Sequence, residues 1–444
     1  MAIKRHKHQN QHAQTPRSKR LKRKKKQNFA DFRILLGTLK YITLFILEWI
    51  LIILKNQNNT SITNTTSKGA QMREVPNHFS NHFLSLKDFS KSQLYDMLSL
   101  SLALKSLCQN AKSLSKPITP QALGIKNSPQ NPPTLALILE KPSTRTRVSF
   151  EAGVYELGGK AIILMGKDTQ MGRGEPIKDS ARVISSMVDI IAIRTFSQEG
   201  LEEFALHSSV PVINALTDLS HPLQVMADML TMIECGIYLE DFATHFEEFC
   251  KQNLQQEALD FIKSQNPLPK RICSPIACYI GDGNNMAHSW LKLACILGFE
   301  LRLLCPQKYA PDEKIIALAQ NLANKSNAKI RVEIIPSNAD KVAVQDALES
   351  VTKDASVLTT DTWISMGQEE EKQSRINAFE GFCINQALMQ KAHSNAIFLH
   401  CLPAYRGYEV SDEVIEGAQS RVWQEANNRL HIQKGIMLWL LAKK

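Results

Sequence analysis

From Thr134 to His400 the chain alternates short apolar runs with longer helical stretches, and this alternation constrains the fold more than any other feature. The runs lie at 134–139, 160–165, 189–193 and 211–214, and again at 275–280, 299–304, 330–335, 356–360 and 397–400. Strand-length runs separated by helix-length segments predict parallel sheets covered by helices. Two series therefore predict an α/β protein with two doubly wound parallel-sheet domains, joined by interdomain helices, one of them near 221–235. Amphipathic patterns near 86–106 and 421–442 predict helices that bracket the two domains. No internal repeat is visible.

The net charge of +10 is unevenly placed. Residues 1–33 hold twelve Lys or Arg against one acid, Asp31, so the body of the chain is close to neutral. A nearly neutral body gives no footprint for nucleic acid. The nine cysteines form no CxxC pair, which speaks against a zinc site or a disulfide framework and for a reducing compartment. No metal is expected.

Before the first strand run come three segments of different character. Residues 1–33 have a disordered composition. Residues 34–54 are apolar and long enough to span a bilayer, although Lys40 and Glu48 interrupt them. Residues 55–71 are an Asn/Thr/Ser-rich linker. The expectation is that 1–71 is a non-catalytic extension, with Met72 offering a later start; a membrane anchor is the alternative. A span with its basic flank held inside would put the body on the far side of the membrane, so membrane attachment is disfavoured. A transit peptide fits poorly, because the basic run is Lys-dominated.

Leu239, Phe242, Phe246 and Phe249 recur at helical spacing within 237–262, ahead of Pro267 and Pro269. They predict one extra helix packed on a domain face, with a partner-binding element as the alternative.

The run ending at Glu140 is followed by Lys141-Pro142-Ser143-Thr144-Arg145-Thr146-Arg147 and then a helical stretch. In open α/β sheets, ligands sit beyond the carboxyl ends of the strands, where a helix N-terminus offers free N–H groups. Ser143, Thr144 and Thr146 add hydroxyls, and Arg145 adds a planar fork for two phosphate oxygens. Ser143 alone reads as a helix cap; the whole stretch reads as a phosphate site. Gly281-Asp282-Gly283-Asn284-Asn285 follows another strand run, but it lacks the GxGxxG spacing, so no dinucleotide or other cofactor is expected. The plain alternative there is a tight turn whose asparagines tolerate left-handed geometry.

Ser-Thr-Arg-Thr-Arg followed by Ser149-Phe150-Glu151 resembles the carbamoyl phosphate signature of the aspartate and ornithine carbamoyltransferases. From about Met72 onward the other motifs are similar to that family too. The resemblance implies that Ser143, Thr144, Arg145, Thr146, Gln170, Arg194, His221, Gln224, Cys401, Leu402 and Arg429 bind carbamoyl phosphate. Within that set it implies that Thr146, Arg194 and His221 face the carbonyl oxygen and that Gln224, in His-Pro-Leu-Gln, holds the carbamoyl NH2. Gln170 resembles a loop that enters a neighbouring subunit's site, which implies a homotrimer with shared active sites. Many family members have His-Lys where this chain has Arg173-Gly174.

Asp361-Thr362-Trp363-Ile364-Ser365-Met366-Gly367 resembles the family's ornithine loop. It implies that Asn285 lies on the α-carboxylate side of ornithine, that Asp361 binds the α-ammonium, and that Ser365 and Met366 are further contacts. Cys401, in His400-Cys401-Leu402-Pro403, stands where aspartate-specific members typically have Pro. It is expected to pair with Asp361 and help place or deprotonate the δ-amine, without acting as a covalent nucleophile. Arg145, Arg194, His221, Asp361 and Cys401 are then the catalytic set.

The activity so implied is transfer of the carbamoyl group to the δ-amine of L-ornithine, in the cytoplasm and within arginine biosynthesis. The alternatives are another amine such as putrescine, or a membrane-anchored paralogue that only binds. The implied division is a carbamoyl phosphate domain at 72–225, completed by a C-terminal helix at 418–444, and an ornithine domain at 226–417 with an insertion near 237–270.

Overall fold

The computed structural model describes residues 79–112, 119–166, 169–170, 174–364 and 369–443. The expectations for 1–71, including the apolar run 34–54, lie outside the described residues, as do Ser365 and Met366.

Helix α1 (Lys91–Lys112) precedes the first sheet. Strand β1 (Thr134–Leu139), helix α2 (Thr144–Glu156), β2 (Lys160–Met165), α3 (Ile177–Ser185), β3 (Ile190–Arg194), α4 (Gln198–His207) and β4 (Val212–Leu216) then follow in strict alternation. The sheet order is β2-β1-β3-β4, and every pair is parallel. Helix α5 (Pro222–Glu234) leads onward, Pro222 supplying the fixed φ that suits a first helical turn.

The second sheet alternates in the same way: β5 (Ile276–Ile280), α8 (Asn285–Leu297), β6 (Glu300–Pro306), α9 (Glu313–Ala323), β7 (Lys329–Ile335), α10 (Lys341–Thr352), β8 (Val357–Thr360), two short helices α11 (Lys372–Ala378) and α12 (Gln386–Lys391), and β9 (Ile397–His400). Its order is β7-β6-β5-β8-β9, again all parallel. A short α13 (Asp412–Ile415) precedes the closing helix α14 (Val422–Leu441). The α/β class and the two doubly wound sheets are as the alternation predicts.

Strand order places the site. Strand β1 hands over to β2 on one side, and the chain returns to the other side of β1 as β3. The first sheet therefore switches direction between β1 and β3, and the second between β5 and β8. A crevice opens outside the carboxyl ends of strands at such a switch. The Ser143 turn and Arg194 occupy the first switch; Asn284, Asn285 and Asp361 occupy the second.

Two expectations need correction. Residues 237–262 do not form one helix: α6 (Glu240–Asn253) and α7 (Gln256–Gln265) are separated by an extended Leu254. There the chain pairs with a distant segment. The Lys126 N–H donates to the Asn253 carbonyl at 2.8 Å and the Gln255 N–H to the Gly124 carbonyl at 2.7 Å, replacing two helical hydrogen bonds. Phe242, Phe246 and Phe249 are buried as a packed face requires, with Phe242 edge-on to Tyr95 of α1 at 5.0 Å.

Nor is α14 amphipathic over its whole length. Trp423 and Asn427 near its start are exposed, but from His431 to Leu438 every residue is buried, Gln433 and Lys434 included. It packs against α1, α2 and α5. Gly435 permits the closest approach, since a Cβ there would lie 2.0 Å from Ser101 Oγ. Lys434 is neutralised by Glu156 of α2 at 2.7 Å. A helix buried on every side reads as a continuous apolar stretch with isolated polar residues, and each of those needs a partner.

Candidate active site

Ser143 caps α2 in extended conformation, its hydroxyl accepting from the Thr146 N–H at 3.3 Å and donating to Thr146 Oγ1 at 3.0 Å. The capping reading of this serine is present in the geometry. Thr144 is exposed on the first turn, and Thr146 is fully buried. Arg429 Nη2, from α14, donates to Thr146 Oγ1 at 2.9 Å, so the terminal helix reaches the β1 turn. Arg145 Nη2 donates to the Leu402 carbonyl at 2.8 Å, tying the first sheet's turn to the loop after β9. Arg194 is the last residue of β3.

Three guanidiniums thus converge. Burial lowers Arg194 to about 10, with repulsion from Arg145 adding to it; burial also lowers Arg429 to about 10, with repulsion from Arg194 and Arg145. Arg194 and Arg429 remain cations at neutral pH. Arg145, Arg194 and Arg429 each keep a buried Nε with no hydrogen-bond partner among the described residues. Buried donors held together against their own repulsion are suited to a multiply charged anion. His221, the N-cap of α5, is held well below its ordinary pKa by burial and by Arg429, Arg194 and Arg145. It is a neutral imidazole, anchored by its backbone N–H donating to Ser289 Oγ at 2.8 Å. Its Nδ1 has no partner among the described residues.

Gln224 lies one turn into α5. Its Nε2 donates to Asp228 Oδ1 at 2.9 Å and to Glu425 Oε1 at 2.8 Å, while its Oε1 is buried without a partner among the described residues.

The other wall comes from the second sheet. Asp361, just past β8, accepts from the Thr362 N–H at 2.7 Å, from Asn284 Nδ2 at 3.1 Å and from the Cys401 thiol at 3.0 Å. The expected pairing of Asp361 with Cys401 is present. Burial and the Asp361 carboxylate push the Cys401 thiol well above its ordinary pKa, so it is a hydrogen-bond donor and not a thiolate. Asn285 Nδ2 donates to the Thr217 carbonyl at 3.0 Å, joining the two sheets' loops. The left-handed geometry of the 281–285 turn falls on Gly281, at φ 150°, and not on the asparagines; Asn284 is an extended N-cap. A Cβ at Gly281 would lie 2.9 Å from Thr360 Oγ1.

The fold therefore brings together Ser143, Arg145, Thr146, Arg194, His221, Gln224, Asn285, Asp361, Cys401, Leu402 and Arg429. Gln170 stands apart: its side chain is exposed in the loop between β2 and α3, and its carbonyl accepts from the Glu175 N–H at 3.0 Å. Among the described residues no group of His, Cys, Asp and Glu suited to a metal ion is present. Sequence reasoning missed Asn284, Ser289, Asp228 and Glu425. Two of these carried a signal: Asp228 is four residues after Gln224, and Glu425 four before Arg429, each one helical turn away.

A cationic anion pocket at one switch point, facing a carboxylate and a neutral thiol at the other, suits an enzyme that transfers the acyl group of an anionic acyl phosphate to an amine. The chain belongs to the aspartate/ornithine carbamoyltransferase family. The model for that family's carbamoyl-P binding domain matches residues 81–234, and the model for its Asp/Orn binding domain matches 276–440. Ornithine carbamoyltransferase of Helicobacter hepaticus is 51% identical over 364 residues, covering 81% of this chain and 96% of that relative. The enzyme of the same name from Wolinella succinogenes is 49% identical, covering 82% and 99%. Among solved structures, anabolic ornithine carbamoyltransferase of Campylobacter jejuni matches with TM-score 0.63 at 39% identity, over 82% of this chain and 99% of that one. The Pyrococcus furiosus ornithine carbamoyltransferase matches with TM-score 0.62 at 35% identity, over 80% and 95%.

Proposed function

We propose that this protein transfers the carbamoyl group of carbamoyl phosphate to the δ-amine of L-ornithine, releasing L-citrulline and phosphate. The observation that carries the reading is the facing pair of switch-point sites: Arg145, Arg194 and Arg429 on one side, Asp361 with Cys401 on the other. The relatives named above support ornithine as the amine. Carbamoyl phosphate lies with its phosphate on Ser143, Thr144, Arg145 and Thr146. Its carbonyl oxygen faces Thr146, Arg194 and the neutral His221, and its NH2 faces Gln224 Oε1. Ornithine lies with its α-ammonium on Asp361 and its α-carboxylate toward Asn285; Ser365 and Met366 complete its contacts.

The δ-nitrogen attacks the carbonyl carbon, negative charge gathers on the carbonyl oxygen, and preorganised donors stabilise it. The C–N bond forms and the bond from carbon to the phosphate oxygen breaks; the proton lost by the amine passes to the departing phosphate, which leaves as hydrogen phosphate and is retained by the arginines. Cys401, a neutral thiol donating to Asp361, presents its sulfur lone pairs to the arriving amine and does not attack carbon.

The working division is a carbamoyl phosphate domain at 72–225 completed by 418–444, and an ornithine domain at 226–417. The assembly is a homotrimer in which Gln170 serves a neighbouring site. The exposure of Gln170 supports this, as do the exposed apolar side chains of Val148, Tyr155, Ile162 and Met187. The proposed setting is the cytoplasm, within arginine metabolism. Residues 1–71 take no part in the reaction. Citrulline formation from carbamoyl phosphate and ornithine by the purified chain tests the reading; no citrulline from folded protein would refute it.

A further inference from the structure

Gln224, Asp228 and Glu425 meet where α5 crosses α14, and each is 1% exposed. Both hydrogens of the Gln224 NH2 are spent on carboxyl oxygens: Asp228 Oδ1 at 2.9 Å and Glu425 Oε1 at 2.8 Å. The other oxygen of Glu425 accepts the His400 N–H at 2.8 Å, next to the Cys401–Leu402 loop. Gln224 Oε1 is left buried with no partner among the described residues. Turned over, the amide would set its oxygen against two carboxyl groups and present N–H donors to the substrate instead. Two acceptors therefore define which way this amide faces.

We infer that Asp228 and Glu425 are positioning residues that hold Gln224 with Oε1 toward the acyl group, so that the enzyme selects an acyl phosphate bearing N–H over one bearing methyl. This rests on the reading that Gln224 meets the carbamoyl NH2. An acceptor aimed at a substrate N–H is left unpaired, and pays its full desolvation, when the substrate lacks that hydrogen. Burial raises both carboxyls, and Asp228 raises Glu425 further, so near neutrality the pair carries less than two charges. A proton between the two leaves their remaining oxygens free to accept from Gln224. Glu425 also links this acceptor to the backbone of His400, so one side chain serves both walls of the site.

The test is calorimetric titration of the full chain with carbamoyl phosphate and with acetyl phosphate, which differ by NH2 against CH3, read as the ratio of the two dissociation constants. Asp228→Ala removes one acceptor. Glu425→Gln leaves one oxygen for two donors, Gln224 Nε2 and the His400 N–H. Each is expected to reduce the preference for carbamoyl phosphate by about tenfold, the scale of one hydrogen bond at a buried site. Asp228→Asn keeps an acceptor for Gln224 and supplies a donor to Glu425, and is expected to retain the wild-type ratio. Damage to folding alone would weaken both ligands together and leave the ratio unmoved. Gln224→Leu separates the two levels. If it collapses the ratio while Asp228→Ala and Glu425→Gln keep it, the positioning role is wrong and the Gln224 reading stands. If Gln224→Leu also keeps the ratio, the Gln224 reading fails and the positioning role with it.

Discussion

The thiol of Cys401 donates to Asp361 Oδ1 at 3.0 Å, closing the gap between the ends of β9 and β8. Burial and the neighbouring carboxylate both favour the protonated thiol, so its pKa lies well above 9. Sulfur alkylation proceeds through the thiolate. Cys401 is therefore expected to react with iodoacetamide more slowly than a free cysteine at pH 8, with no plateau up to pH 9. Peptide-resolved mass spectrometry gives the rate. A fast reaction that levels off below pH 8 would show a thiolate and overturn the donor role.

Arg145→Ala should leave a folded protein, since Arg145 serves the Leu402 carbonyl and the site and is only half-buried. Its kcat/KM is expected to fall about 10²-fold or more, the scale of one charge-stabilising donor. Steady-state kinetics beside circular dichroism separates activity from folding. Near-normal turnover would remove the anion site from the β1 turn.

The pH dependence should separate the two substrates. His221 has its folded pKa held well below 6.5, so it stays neutral from pH 6 to 8 and adds no limb there. The attacking amine, with a lysine-like pKa of about 10.4, must first lose a proton. Over the same interval kcat/KM for ornithine is expected to climb steeply, by up to about 100-fold, while the His221 contribution stays constant. A limb centred near 6.5 that vanishes in His221→Asn would show that this imidazole titrates after all.

These residues also show what could be read in advance. The ends of β1 and β9 were legible because parallel strands buried on both faces are written as unbroken apolar runs; β2, a partly exposed edge strand, also begins and ends at the expected residues. Asp361 and Cys401 were legible as neighbours only through motif resemblance, since forty residues and a strand crossing separate them. Asn284 was passed over in favour of Asn285, because adjacent asparagines in one turn are indistinguishable until the cap geometry is known. The break at Leu254 depends on pairing with 124–126, a contact between distant segments that leaves no local pattern. Asp228 and Glu425 were readable at helical spacing, yet buried acids in apolar helices resemble surface positions until the burial of both helices is seen.

Phe242 is fully buried against Tyr95 and Tyr238, where α6 meets α1. Phe242→Ala is expected to cost about 3–5 kcal/mol of stability, the range for truncating a buried aromatic. Denaturant unfolding measures it, and kcat of the surviving folded fraction should be unchanged, because α6 contributes nothing to the site. A loss below about 1 kcal/mol, the cost of a surface change, would mean that this helix is loosely docked.

The central claim is that the second switch-point site is built for ornithine. On the proposed pose Asp361 meets the α-ammonium and Asn285 the α-carboxylate; putrescine keeps an ammonium for Asp361 and has no carboxylate for Asn285. The direct measurement is kcat/KM for carbamoyl transfer to ornithine, putrescine and aspartate by the same preparation. A strong preference for ornithine over putrescine is expected, of about 10²-fold or more, since the carboxylate contact is lost with putrescine. Comparable values for ornithine and putrescine, or a preference for aspartate, would contradict it.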